Sequence, residues 1–342
     1  MRGRIIHDLA ALHRQHGEVV RVGPTGLSFI SPEAWLDIYA RKPGQGVFRK
    51  DELRYTKDLC INGAQEILTS DEADHSRLRR VLAHAFSDKA IREQEPLVQK
   101  HVDVLMQQLA RNLTKGDVDM SKWLNWTTFD IIGDLAFGEP FGCLADGDYH
   151  PWVSLIFETV QAVSVMGAIK QFPWLDAVFQ RLIPDALYEK LRSHHELSIA
   201  KVNRRLEMTT DRGDFLQQIL AHAGSEKEMT KGEIYSNAAL LIMAGSETSG
   251  TAMAGCTYYL AKHQGILKKV RAELHSQCAR KGDITFDKVL DSMPYLAAVL
   301  EEAMRLYPAQ PIFTPRKAPK GGAMVAGHFV PENVDTPSLF LT

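Results

Sequence analysis

One carboxylate stands alone in the least charged part of this chain. Glu247 lies in the stretch AGSETSG, residues 244–250, and it is the only Asp, Glu, Lys, Arg or His between Ile234 and Ala261. Burying a carboxylate is costly unless the group is paired or kept neutral. Because apolar surroundings disfavour the charged form, such a group can hold and release a proton. The setting of Glu247 therefore makes it a candidate for proton transfer.

The residues around Glu247 are small on one side of the predicted central helix. Thr230 to Glu233 fits a capping box and predicts the start of this helix, and successive residues then advance by about 100°. One face contains Asn237, Leu240, Leu241, Ala244, Thr248, Thr251 and Gly255. Small side chains let a flat or bulky ligand lie against the backbone, and they equally allow close packing of two helices. The spacing alone leaves both interpretations open.

The same stretch also offers the frame of a phosphate-binding loop. Gly245 to Gly250 has the spacing G-x-x-x-x-G. That loop needs a preceding strand and a lysine in the next position. Here Thr251 follows, and the preceding residues continue a helix. A nucleotide-binding helical protein is therefore a remote alternative.

A second candidate pair lies on a later helix. Ser292-Met293-Pro294 predicts its start, and Pro308 lies just beyond its end. Glu302 and Arg305 are three residues apart, on the side away from the apolar stripe Leu296, Val299, Leu300, Ala303 and Leu306. The spacing alone is explained by a surface ion pair worth about 0.3–0.5 kcal/mol.

The elements that must position these residues are mostly helices. Helical segments are predicted near 71–86, 91–113, 121–136, 150–170, 186–207 and 214–222. Two β-prone runs within 18–30 flank a Gly-Pro-Thr-Gly turn and predict a hairpin, and 323–330 gives a weaker strand signal. No segment rich in Gly, Ser or Pro marks a domain boundary. We therefore expect one domain over residues 1–342, mostly α with a small β part.

Composition and charge exclude several classes of protein. The chain has 342 residues, is 45% hydrophobic and carries a net charge of −2, which gives no reason to expect nucleic acid as a partner. It shows no secretory signal and no run of about 20 lipid-compatible residues, so we expect no membrane-spanning helix. The four cysteines, at positions 60, 143, 256 and 278, lack zinc-binding spacing. Their usage suits a reducing, intracellular compartment.

Taken together, these stretches resemble the haem-thiolate monooxygenases, the cytochrome P450 superfamily, and its fungal microsomal members in particular. The segments that carry the resemblance are GEVVRVGPTGLSFISPEAW, HSRLRRVLAHAFS, DIIGDLAFGEPFG, AGSETSG, EEAMRLYP and PIFTPRKAP. Each segment is weak alone, but they occur in the family's order and cover most of the chain. The resemblance implies the cytochrome P450 fold.

In that family the central helix crosses the haem face. The resemblance implies that Ala244 and Gly245 make room for dioxygen and substrate. It also implies that Glu247 passes protons and that Thr248 supplies a hydrogen bond during oxygen activation. A proton relay of this kind needs a titratable group near a site that excludes water.

The resemblance also assigns residues that hold the cofactor. His75, Arg79 and Arg316 would reach the haem propionates, since arginine pairs with carboxylates through two hydrogen bonds. The alternative for His75 and Arg79 is a solvated basic surface. Glu302 and Arg305 would brace the loop that holds the haem.

The metal ligand expected from the family has no counterpart among these residues. In the family, the iron ligand is a cysteine in a loop containing Gly and Arg, well past the helix of Glu302 and Arg305. Neither Cys60, Cys143, Cys256 nor Cys278 stands in such a context. We therefore expect an incomplete cytochrome P450 fold that lacks the C-terminal haem-binding loop, and also the N-terminal membrane anchor of microsomal members.

The activity implied by the resemblance is hydroxylation or epoxidation of an apolar small molecule, in fungal secondary-metabolite biosynthesis. Haem would be the cofactor, and electrons would come from NADPH through cytochrome P450 reductase. The apolar stretch 150–185 corresponds to the roof of the family's substrate pocket. The alternative is a catalytically inactive fragment or pseudoenzyme. Family members reside at the endoplasmic reticulum, and without an anchor we expect a cytoplasmic or peripheral location.

Overall fold

The fold is known from a computed structural model, which describes residues 4–40, 46–51, 63–155, 169, 172, 185–208, 213–221, 224, 228–311 and 315–336. The chain divides into two compact units. The terminal unit combines Met1–Thr56 with Arg305–Thr342, and the helical unit is Lys57–Met304. The expectation of one domain over 1–342 stays a prediction.

The terminal unit contains the β-structure of the described residues. Its elements are α1 Ile5–His16, β1 Val19–Gly23, β2 Gly26–Phe29, α2 Pro32–Tyr39, β3 Arg49–Lys50, β4 Arg316–Lys317, β5 Ala323–Val325, β6 His328–Val330 and β7 Asp335–Thr336. One sheet has the order β1-β2-β7-β4-β3, and β5 pairs with β6 separately. The β2–β7 pairing is parallel, and the other pairings are antiparallel.

Both strand predictions fall on real strands, and one needs correction. The predicted hairpin within 18–30 is confirmed, with Val19 opposite Phe29. The signal at 323–330 was interpreted as one strand, whereas the structure has two antiparallel strands there. Ala326 and Gly327 turn the chain with φ of 46° and 77°. Two successive positive φ values match the twist of a tight hairpin, which explains how so short a segment reverses.

The helical unit is built from helices of very different length, and most of the long ones lie close to the predicted bounds. They are α3 Glu72–Ala85, α4 Asp88–Leu113, α5 Met120–Phe137, α6 Cys143–Asp146, α7 Asp185–Glu207, α8 Phe215–Leu220, α9 Lys231–Lys262, α10 Gln264–Gln277, α11 Phe286–Ser292 and α12 Pro294–Leu306, the last of which crosses the division. Residues 151–155 are also helical, and the rest of the predicted helix 150–170 falls almost wholly outside the described residues. None of the described helices combines the length and hydropathy needed to cross a bilayer.

Helix α5 is the centre of the helical unit. Most of its residues are buried on every side, including Trp123, Phe129 and Phe137, as expected of a helix surrounded by others. Phe137 and Trp152 lie with ring centroids 5.8 Å apart, and Phe141 packs edge-on to Trp152 at 5.2 Å. Helix α9 packs along α5. Helix α9 therefore packs against a helix that is itself part of an aromatic core.

Candidate functional site

The central helix α9 begins where the capping box predicts. The Thr230 hydroxyl accepts from the Glu233 amide at 3.2 Å, and the Glu233 carboxylate accepts from the Thr230 amide at 2.8 Å. The helix is continuous from Lys231 to Lys262 and includes the whole stretch 244–250. The prediction of one helix through this region is confirmed.

The first turns of α9 are anchored to α3 by an ion pair. Arg77 binds both Glu233 and Asp74, with Arg77 Nη1 3.3 Å from Glu233 Oε2. Burial raises the pKa of Glu233, but hydrogen bonds from Arg77 and Thr230 outweigh it and hold the pKa below its usual range. The same carboxylates raise the pKa of Arg77. Arg77, on the same helix as His75 and Arg79, is therefore an anchor between α3 and α9 rather than part of a solvated basic surface.

Polar side chains also attach the segment before α3 to α9. The Asn237 amide donates to the Glu233 carbonyl at 2.8 Å, and its Oδ1 accepts from the Ile67 backbone amide at 3.1 Å. The Ser236 hydroxyl donates to the Ala64 carbonyl at 3.0 Å. Asn237, predicted on the small face, therefore serves as an anchor of a neighbouring loop.

One face of α9 packs tightly against α5. Ile242 and Ser246 are fully buried. A Cβ added at Gly245 would lie 2.8 Å from Ile132 Cδ1, and one added at Gly250 would overlap Asn125 Oδ1. The two glycines therefore serve close helix packing, which was one of the two interpretations of the small residues.

The opposite face of α9 is open in its middle. Ala244 and Thr248 are exposed, and Thr251 is half-buried. The Thr248 hydroxyl donates to the Ala244 carbonyl at 2.6 Å. Glu247 is half-buried and lies between the two faces. Helix packing thus accounts for Gly245 but not for Ala244 and Thr248, and a shared cavity wall for Ala244, Thr248 and Thr251 stays a prediction.

The two basic candidates on α3 lie on one helix, as their spacing requires. The Asp71 side chain accepts from the Asp74 amide and caps α3. His75 is half-buried and Arg79 is exposed, while Leu78 on the inner side is fully buried. Within the described part of the chain, Arg79 makes no ion pair. Its exposed guanidinium is of the type that pairs with an acidic group.

Arg316 belongs to the terminal unit. It lies in β4, opposite Lys50 on β3 and Thr336 on β7. Its guanidinium carbon lies 5.4 Å from the centroid of the Tyr39 ring, within the range of a cation–π contact. The convergence of Arg316 with His75 and Arg79 stays a prediction.

Helix α12 carries the pair Glu302 and Arg305, and both residues are exposed. The start of α12 is held by α10, because the Glu273 carboxylate accepts from the backbone amides of Tyr295 and Leu296 at 2.9 and 2.8 Å. A carboxylate suits a helix N-terminus, where backbone amides lack partners. No local sequence pattern indicates this contact from another helix. The bracing role of Glu302 and Arg305 stays a prediction.

The described cysteines are poor metal ligands where they stand. Cys143, Cys256 and Cys278 are buried, and Cys60 lies outside the described residues. Burial raises the pKa of the Cys143 thiol to about 12 and also raises the pKa of Cys256. Metals bind thiolates rather than thiols. No group of three or more His, Cys, Asp or Glu in the described ranges could hold a metal ion.

Comparison with known proteins identifies the family. The family model for cytochrome P450 matches residues 1–336. The chain belongs to the cytochrome P450 family. It is 40% identical over 335 residues to cytochrome P450 monooxygenase astJ of Aspergillus oryzae, covering 97% of this chain and 66% of that protein. It is 39% identical over 331 residues to averantin hydroxylase of Dothistroma septosporum, covering 97% of this chain and 62% of that protein.

A third cytochrome P450 relative is similar to this chain to the same extent. Cytochrome P450 monooxygenase stcF of Emericella nidulans is 40% identical over 333 residues, covering 97% of this chain and 68% of that protein. The chain thus spans about two thirds of the length of these cytochrome P450 relatives. The mostly helical fold with a small β part is confirmed as that of the family.

The family implies haem, with electrons from NADPH through a reductase, and the described residues of this cytochrome P450 fit haem in two respects. The open face of α9 carries only small side chains at Ala244 and Thr248, which suits a flat ring. Arg79 on α3 presents an exposed guanidinium, which suits a propionate.

Proposed function

We propose that this cytochrome P450 acts as a monooxygenase that oxidises an apolar small molecule in a fungal secondary-metabolite pathway. One oxygen atom of dioxygen enters the substrate, and the other leaves as water with two protons and two electrons from NADPH. Haem supplies the oxygen activation when bound. The support is family membership and relatives that are named monooxygenases and averantin hydroxylase.

The observation that carries the proposal is the division of α9 into a packed face and an open face. Gly245 and its neighbours fix the helix against α5, so the open residues Ala244 and Thr248 are held in place. Ala244 leaves room for oxygen and substrate. Thr248 offers a hydroxyl on that open face, and its present bond to the Ala244 carbonyl leaves its oxygen able to accept.

Glu247 is the proposed proton donor. It lies at the border of the open face, half-buried on a helix that carries no other ionisable acid nearby. A carboxyl in that position can donate a proton to a group bound at the open face. It can then be reprotonated from the side of the helix that faces away from that group. General acid catalysis of this kind contributes about 100-fold or more.

The remaining residues would hold the cofactor. Arg79 and His75 on α3 and Arg316 on β4 would bind the propionates, and Gly245 keeps α9 close to α5. Glu302 and Arg305 on α12 would brace the segment that carries the metal ligand. Since no described cysteine is placed as a thiolate, this chain does not supply that ligand from its described part.

The test is substrate oxidation with haem, NADPH and a reductase, by a longer protein that contains these 342 residues and also supplies the cysteine ligand. Averantin is a reasonable first substrate because of the hydroxylase relatives. Glu247→Gln should lower the rate by about 100-fold. Thr248→Ala should lower the product formed per NADPH consumed. Ser249→Ala is the matched control, because Ser249 is equally exposed on the next position of the same helix. Equal effects of the two alanine variants would contradict the role of Thr248.

A binding readout tests the cofactor residues separately. Haem titration followed by absorbance should show weaker binding for Arg79→Ala than for Arg80→Ala. Arg80 is the control because it is adjacent and also exposed. Identical binding curves would favour the solvated basic surface.

The second candidate function is an inactive member of the family. The observation that favours it is the burial of Cys143, Cys256 and Cys278, with a raised pKa for the first two. Haem binding without any product, at full reductase and substrate supply, would support this candidate.

A further inference from the structure

Helix α3 presents polar side chains on both flanks of a buried stripe. The stripe consists of Leu78, Val81, Leu82 and Ala85. At about 100° per residue, Arg77 falls about 90° from the middle of the stripe on one side, and His75 and Arg79 fall at a similar angle on the other side. Because all three side chains leave one helix, a contact that fixes Arg77 in space also fixes the direction of His75 and Arg79.

Apolar packing holds α3 in place but constrains its rotation only loosely. The stripe lies in the core of the helical unit, and Phe86, just after the helix, packs against Phe215 of α8 with ring centroids 4.9 Å apart. Apolar attraction is non-directional, since it depends on the area removed from water. Close control of the rotation of α3 about its axis therefore needs directional contacts.

Arg77 makes such contacts with the start of α9. Its Nη1 and Nη2 both donate to the Glu233 carboxylate, with Nη1 3.3 Å from Oε2. Nη1 also donates to the Glu228 carbonyl at 3.2 Å. A planar guanidinium that binds a carboxylate through two hydrogen bonds fixes direction as well as distance. The Arg77 and Glu233 side chains are 25% and 12% exposed, so salt screens them less than a surface ion pair.

Glu233 is itself held and can therefore serve as a fixed point. Its carboxylate accepts from the Thr230 amide at 2.8 Å within the capping box, which keeps it in the first turn of α9. Helix α9 is continuous from there to the open face with Ala244 and Thr248. The contact between Arg77 and Glu233 thus links α3 to the helix that carries the open face.

The second carboxylate bound by Arg77 cannot link the two helices. Asp74 Oδ1 accepts from Arg77 Nε at 3.3 Å and from Nη2 at 2.9 Å, but Asp74 lies on α3 itself. This contact orients the guanidinium relative to α3 and does not restrain the rotation of that helix. Asp74 and Glu233 both pair with the charge of Arg77, and of the two only Glu233 belongs to α9.

We propose that Arg77 is a positioning residue for the cofactor, whose two hydrogen bonds to Glu233 fix the rotation of α3 and keep His75 and Arg79 turned toward the haem propionates. Arg77 acts through these two residues and does not touch the cofactor. The inference rests on the proposed roles of His75 and Arg79, and it adds what holds them in that direction.

A first test needs no haem. His75 is half-buried on its flank of α3, so a freer rotation of the helix should expose position 75 more often. In these 342 residues, thiol labelling of His75→Cys, corrected for the parent's own rate, should become several-fold faster when Glu233→Gln is added. Glutamine still fits the capping box, so α9 keeps its start. Asp74→Asn is the matched control, because it removes an equal charge within α3, and it should leave the labelling rate unchanged.

Haem titration followed by absorbance, in the longer protein that supplies the cysteine ligand, tests the link to the cofactor. Arg77→Lys keeps the charge but loses the planar pair of donors. The dissociation constant for haem should therefore rise about tenfold, as expected when a residue that orients a binding group is lost. Arg80→Lys, at the adjacent exposed arginine, is the control and should leave haem affinity unchanged.

Stability measurements separate positioning from a purely structural role. Arg77→Met should weaken haem binding to the same extent as Arg77→Lys, but it should lower the urea midpoint further because the charge is also lost. A purely structural Arg77 would instead make haem affinity follow stability across the two variants. Arg77→Lys carries the test if Arg77→Met does not fold.

The action of Arg77 through His75 and Arg79 has its own test. In a background with His75→Ala and Arg79→Ala, Arg77→Lys should cause little further loss of haem affinity, because the side chains to be positioned are gone. The full loss in that background would overturn the inference, since Arg77 would then act on haem without them.

The inference and the proposed cofactor residues fail in distinguishable ways. If Arg79→Ala weakens haem binding while Arg77→Lys changes neither haem affinity nor the labelling rate, Arg79 keeps its role and the positioning by Arg77 falls. If the labelling rate responds to Glu233→Gln but His75→Ala and Arg79→Ala leave haem binding unchanged, the assignment of the propionate residues falls, and the inference falls with it.

Discussion

At the scale of single residues, the small side chains of α9 divide into two groups. Gly245 and Gly250 are small because α5 is there, and Ala244 and Thr248 are small on the side where it is not. The first group needs no ligand to explain it. Only the second group supports a cofactor face, so substitutions in the two groups should have different consequences.

Gly250→Ala should destabilise the fold. Its methyl group would overlap Asn125 Oδ1, and relieving such a clash typically costs about 1–3 kcal/mol. Gly265→Ala in α10 is the matched control, since nothing lies within 4 Å of its added Cβ. There alanine should stabilise by about 0.5–1 kcal/mol, from helix propensity. Urea unfolding measures both, and a Gly250→Ala protein as stable as the parent would contradict the contact.

At the scale of elements, helix existence was predictable and helix partners were not. Apolar periodicity and the Thr230 capping box located α3, α5 and α9 to within a few residues. No local signal pairs Arg77 with Glu233, or Glu273 with the start of α12, because those partners are distant in sequence. Burial of α9 on one face only was also unpredictable, since its sequence is nearly uncharged all round.

The contact between α7 and the helical residues 151–155 should make the fold sensitive to acid. The Trp152 indole donates to His194 Nδ1 at 2.7 Å, and burial lowers the pKa of His194 to about 4. A histidine that stays neutral when folded but binds a proton when unfolded favours unfolding as pH falls. Stability should therefore drop between pH 6.5 and 4, by about 3 kcal/mol for the full shift.

His194→Asn should flatten that pH dependence, because asparagine can accept from Trp152 without titrating. Unfolding free energy measured across this pH range checks the prediction. Part of the slope should remain, since burial also lowers the pKa of His195. His275→Asn, an exposed position on α10, is the control. An unchanged slope in His194→Asn would show that this histidine is not the source.

At the scale of the whole molecule, apolar side chains are exposed on the last helices of the helical unit. Leu290 is 75% exposed on α11, and Leu300 and Met304 on α12 are 40% and 49% exposed. Exposed apolar patches promote association. Leu290→Lys with Leu300→Lys should lower dye binding to apolar surface and raise solubility, whereas Ile284→Lys alone should do less. No gain in solubility would show that these side chains do not drive association.

The ligand state of the iron is the decisive property of the whole chain. In cytochromes P450 a cysteine thiolate would hold the haem iron. Cys143 and Cys256 have raised pKa values through burial, so both stay thiols at neutral pH. Cys256 also lies in α9, about 120° around the helix from Ala244, away from the open face. These 342 residues, given haem and reduced under carbon monoxide, should therefore lack the red-shifted Soret band of a thiolate complex. If haem binds at the proposed open face, its spectrum should be unshifted. A thiolate spectrum would contradict the argument, and single Cys→Ser variants at 60, 143, 256 and 278 would then identify the ligand.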